Sequence, residues 1–131
     1  MERVEKFLAY FDAQIAACRQ REKELLEDHR LDERVFEKVR GNVYDIFRTV
    51  LTVAVKQAAQ GKVVEEGPSS DVAEGIRSFF LKKAAQIPKS WQTSYDKAKE
   101  HGALEKMQME SIKLETIQEI KAELARIWEE V

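Results

Sequence analysis

The sequence predicts an all-α fold: an elongated antiparallel bundle of about five helices, three long and two short, forming one domain over residues 1–131. Three observations carry that prediction. Apolar residues recur at steps of three and four through most of the chain. Gly 5 and Pro 2 are too few for the turns of a sandwich or barrel. With 44% hydrophobic and 35% charged residues, a chain of 131 can close one core and keep solvated outer faces.

The first helix spans about residues 2–28. Val4, Leu8, Phe11, Ile15, Cys18 and Leu25 follow the helical period, Glu22 takes the one step that should be apolar, and Phe7 and Leu26 widen the stripe. Residues 19–24 are all polar, so packing should thin there. Residues 29–32 read as a turn. Asp32 is placed as the N-cap of the second helix, because a carboxylate can accept the free amides of a first turn. Leu31 and Phe36 have the spacing of a hydrophobic staple around it.

That second helix runs to about residue 59, with Gly61 as a left-handed stop. Val35, Val39, Val43, Ile46, Val50 and Val53 form one stripe, and Phe36, Phe47, Leu51, Ala54 and Ala58 form its neighbour. Two stripes imply burial over a wide arc, hence the central position in the bundle. The β-branched run at residues 49–55 has strand propensity. The 3.6 period passes through it unbroken and assigns it to helix.

Residues 60–70 are the linker, punctuated by Gly67-Pro68. Asp71 caps a third helix, with Glu74 completing a capping box. Its apolar face is Val72, Ile76, Phe79, Phe80 and Ala84, and Pro88 ends it by disfavouring helical geometry at Ile87. Pro88 then opens a short fourth helix with Trp91, Tyr95 and Ala98 inside, stopped at Gly102. Lys97 and Lys99 suit the negative end of its dipole. The fifth helix, about residues 103–130, turns Met109, Ile117, Ile120, Leu124, Ile127, Trp128 and Val131 inward, flanked by Ile112 and Leu114. Glu115, Glu119 and Glu123 mark a different face.

Three helices of about 40 Å exceed the roughly 36 Å diameter of a compact globule of this length. An elongated bundle, or a dimer that shares the helix length, resolves the conflict.

Chemical motifs are sparse. A di-metal centre needs Glu-x-x-His pairs, but Leu26 precedes His29 by three and Ala98 precedes His101 by three. One cysteine and two distant histidines do not make a zinc site. Both histidines sit beside helix ends, where an imidazole is solvated or faces the dipole. Cys18 lies on an apolar stripe and reads as a small hydrophobe. Glu24-x-x-Glu27 matches half of a magnesium-binding carboxylate pair, and no Glu-x-x-Asp follows it. No nucleophile elbow, P-loop or dinucleotide loop is present, and no second copy of any segment appears at a 34-residue period. The expectation is a protein without catalytic residues, cofactor or metal.

Charge is the uneven feature. Residues 76–99 hold six basic side chains against Asp96 alone, whereas residues 100–131 hold eight glutamates against four basic residues. Arg77, Lys82, Lys83, Lys89 and Trp91 are therefore candidate contacts for an anion or a nucleic acid, with Tyr95 a second ring for stacking. The competing explanation lays these basic helices against the acidic fifth helix, with the rings inside.

The sequence thus predicts a non-catalytic protein–protein interaction or scaffolding module that self-associates, as a homodimer. Val39, Val43, Ile46 and Val50 are its candidate self-interface. A further protein partner is expected without an identity, and a nucleic-acid- or anion-binding regulator is the alternative. The start of the chain lacks a secretory pattern, and the longest apolar stretch, within residues 46–55, is too short to cross a bilayer. Both point to a cytoplasmic protein with no membrane contact.

Overall fold

The computed structural model describes residues 2–62 and 71–129. Among these residues five helices follow one another: α1 Glu2–Glu27, α2 Leu31–Ala59, α3 Val72–Gln86, α4 Pro88–Glu100 and α5 Leu104–Glu129. No strand occurs among the described residues, and the β-branched run at residues 49–55 stays inside α2. Most of the predicted linker, residues 63–70, and Val131 lie outside the described residues.

Three helix ends are closed by one device. The residue after the helix takes a left-handed conformation, and the next amide donates to a carbonyl five residues back. These bonds are Arg30 to Leu25 (2.9 Å), Lys62 to Gln57 (2.8 Å) and Ala103 to Ala98 (2.8 Å). Gly61 and Gly102 supply the left-handed residue as predicted, with φ of 72° and 67°. At the end of α1 the same position is held by His29, φ 56°.

That early reversal corrects the predicted start of α2. Arg30 occupies the N-cap position without a side-chain hydrogen bond, and Asp32 lies in the first helical turn. Leu31 is thereby inside the helix and 54% exposed, so it does not staple to Phe36. At α3 the prediction holds for the cap itself: Asp71 accepts the amide of Ala73 at 3.0 Å. Glu74 pairs with Arg77 at 3.6 Å.

Pro88 changes the expected architecture more. Ile87 keeps helical dihedrals (φ −58°, ψ −45°) and still donates to the Lys83 carbonyl at 2.9 Å. A proline disfavours helical geometry before it but does not forbid it. The break is one residue long, and α3 and α4 together act as one interrupted rod. The five helices make four rods, running up, down, up and down.

Cross-contacts give the register. Asp12 meets Arg48 at 2.6 Å and Arg21 meets Glu37 at 2.7 Å, so α1 and α2 are antiparallel. Arg40 and Tyr44 both reach Glu119, while Val35 and Phe36 share a groove with Glu105 and Gln108, so α2 and α5 are parallel. The α2 helix packs against α1, α3 and α5, as its wide apolar arc predicts.

The core gathers at one part of these rods. Phe7, Phe11, Phe47 and Phe80 have no exposed surface. Phe7 lies 4.7 Å from Phe11 and 5.0 Å from Phe80 between ring centres, and Phe47 lies 5.9 Å from Phe80. Leu51, Ala54, Ile76, Ala84, Ile117, Ile120, Leu124 and Ile127 complete it. Beyond Cys18, α1 has no fully buried residue. There the polar stretch forms ion pairs instead, including Arg19 with Glu22 at 2.7 Å.

Candidate interaction surface

The α2 helix has 29 residues and two unlike faces. Val43, Tyr44, Phe47, Leu51 and Ala54 are buried in the core. Beside that face, residues 35, 39, 42, 46, 49 and 53 follow one another at alternating steps of four and three, which keeps them in one row along the helix. A surface helix ordinarily turns polar side chains to water there. In this row Val35, Ile46 and Val53 are exposed at 37%, 41% and 39%. Val39 is half-buried, and Asn42 and Thr49 are exposed.

Beside the row runs a groove of about 320 Å³ lined by Val39, Asn42, Val43, Ile46, Trp91 and Lys113. Trp91 stands edge-on to Phe47, ring centres 6.1 Å apart. Lys113 Nζ lies 5.9 Å from the centre of the Trp91 ring and 3.1 Å from Glu110 Oε1, whose residue is buried. The far wall of the groove is thus an aromatic ring with a cation over it. Asn42 Oδ1 accepts a hydrogen bond from Arg19 Nη2 at 3.3 Å, which ties the row to α1.

The predicted self-interface divides across these two faces. Val39 and Ile46 lie in the row and line the groove. Val43 is corrected to the chain's own core, at 1% exposure. It sits about 80° round the helix from the exposed row, given 3.6 residues per turn. Val50 is half-buried and packed against the core.

The basic candidates divide as well. Lys82, Lys83 and Lys89 are exposed. Lys83 Nζ lies 5.7 Å from the Phe79 ring centre, and Arg77 pairs with Glu74. Trp91 packs inward on Phe47. Although α4 packs along α5, Lys82, Lys83, Lys89, Lys97 and Lys99 have no acidic partner among the described residues.

Tyr44 donates to Glu119 Oε2 at 3.0 Å, and Arg40 reaches the same oxygen at 3.4 Å. Burial pushes the Tyr44 and Tyr10 phenols up, and the neighbouring Glu119 adds to the effect. Burial also pushes the Cys18 thiol up to about 11, with Glu37 adding to the shift. A thiol held protonated is a poor nucleophile. His29 and His101 are exposed. No group of three His, Cys, Asp or Glu side chains that could hold a metal ion occurs among the described residues. No helix among them is long and apolar enough to cross a membrane.

Lys113, Glu110 and Asn42 were not among the predicted site residues. The signal for Asn42 was present, in the four-three alternation from Val35 to Val53. Lys113 and Glu110 carry no such signal, because their role depends on where Trp91 arrives. No protein-family model, curated protein or solved structure matches this chain.

Proposed function

We propose that this protein is a non-catalytic interaction module that self-associates as a homodimer through the outer face of α2. The observation that carries the reading is the exposed aliphatic row Val35, Ile46 and Val53, with Val39 beside it. Single exposed aliphatics are ordinary, but a row of them on one helix face marks an interface. The β-branched residues Val39, Ile46 and Val53 recur every seven positions, the pattern of a helix that pairs with another helix. We place its action in the cytoplasm, where an unpaired cysteine such as Cys18 stays reduced.

Light scattering at low micromolar concentration tests this. The expected particle has twice the 15.2 kDa of one chain, and Ile46→Glu should return it to the mass of a single chain. A wild-type particle of one chain mass overturns the reading.

A second reading, an anion- or nucleic-acid-binding regulator, is favoured by lysines 82, 83 and 89, which are exposed and have no acidic partner among the described residues. It requires retention on DNA or RNA at about 50 mM salt that falls steeply as salt rises, and loss of binding in the Lys82→Ala, Lys83→Ala, Lys89→Ala triple variant.

A further inference from the structure

We infer that two copies of this chain pair α2 against α2 in antiparallel sense about a two-fold axis, with Lys38 of each copy opposite Asp45 of the other. The inference rests on the self-association proposed above and adds direction and register to it.

Charge supplies the second observation beside the aliphatic row. Lys38 and Asp45 are exposed, one turn-pair apart, on the flank of the row nearer α1. Neither pairs with an oppositely charged side chain among the described residues, although much of the bundle's charge is paired within the chain. The other flank of the row is Phe36, Val43 and Val50, which turn into the chain's own bundle.

This asymmetry decides the direction. When helices pair in parallel, each flank meets the opposite flank of its partner. Lys38 and Asp45 would then face the buried aliphatic side and gain nothing. When they pair antiparallel, each flank meets itself reversed. The seam that sets Ile46 over Val35 and Val39 over Asn42 of the second copy leaves Val53 past the start of the partner's α2 and brings Lys38 to Asp45, and the two-fold axis repeats the pair. Moving the seam one heptad along would bring Val53 over Val35 but set Asp45 against Asp45, a like-charge contact that opposes that register.

Reciprocal charge reversal tests the register. In Lys38→Glu both flank pairs become acid against acid, and in Asp45→Lys both become base against base. Each variant alone should raise the dimer dissociation constant about tenfold or more. Mixed in equal amounts, they should form heterodimers within about threefold of the wild-type affinity, because both pairs are again opposite in sign. Circular dichroism on each variant checks that the helices are intact. A wild-type dimer whose affinity neither variant changes, or whose variants do not rescue each other, overturns the register and leaves self-association standing. A wild-type monomer overturns both. As an independent readout, Lys38→Cys mixed with Asp45→Cys should oxidise to a covalent dimer faster than either alone. Equal rates overturn the inference.

Discussion

Cys18 and Gly41 meet at a close contact between α1 and α2. A Cβ added at Gly41 would lie 3.2 Å from Cys18 Cβ and 3.0 Å from Arg19 Nη1. The arginine tip can swing aside, but Cys18 Cβ is fixed to its backbone. Gly41→Leu should therefore force the helices apart and cost about 2 kcal/mol of stability, read by urea denaturation. Cys18 also sets a pH limit. Its thiol is raised in the folded state from an ordinary 9.0 to about 11. Folding holds that proton more tightly than the unfolded chain does, so the contribution is whole below about pH 9 and is lost as pH rises through about 11. The raised Tyr10 and Tyr44 phenols act in the same direction from about pH 10 upward. Stability measured from pH 8 to 11 should fall, and Cys18→Ala should flatten the first part of that fall. Cys18 was legible in the sequence as a member of the apolar stripe. Gly41 was not, because a glycine inside a helix reads only as a loss of helix propensity, and its use depends on a neighbour 23 positions away.

At the scale of elements, helix ends follow from local chemistry and were mostly legible. Asp71 caps α3 by accepting a hydrogen bond from the Ala73 amide. Asp71→Ala should cost about 1 kcal/mol, visible as a lower melting temperature with unchanged helix content. Two local expectations need correction. Asp32 did not become a cap, because the left-handed turn at His29 starts α2 two residues earlier. Pro88 does end α3 and open α4, but Ile87 between them keeps helical dihedrals, so the two continue as one interrupted rod. The α2 stripes show a different limit. Both are apolar, so period alone could not tell which one the other helices would cover. The stripe with the aromatic rings won, since Phe47 meets Phe80 and Trp91. Part of the valine stripe was left outside.

The molecule as a whole is held by a ring cluster drawn from three helices. Phe80 touches Phe7, Phe11 and Phe47. Phe80→Ala should cost about 3–5 kcal/mol, because the cavity opens among helices that cannot all collapse onto it. The measurement is the denaturation midpoint. At the other end, exposed Leu26, Leu31 and Leu104 show how little core the rods share there. Among the described residues the lysines of α3 and α4 make no ion pair with the acidic α5, although α4 packs along it. Charge totals over segments predicted a contact, whereas salt bridges depend on which faces the helices turn to each other.

What the sequence determined alone was the set of helices, nearly all their ends and most of the core, since period, caps and left-handed stops act over a few residues. What the tertiary structure decided was the joining of α3 and α4 into one rod, the assembly of Trp91, Lys113 and Glu110 beside α2, and the choice of which α2 stripe faces water. Those outcomes depend on side chains far apart in the chain competing for the same surface, and no local pattern records the winner.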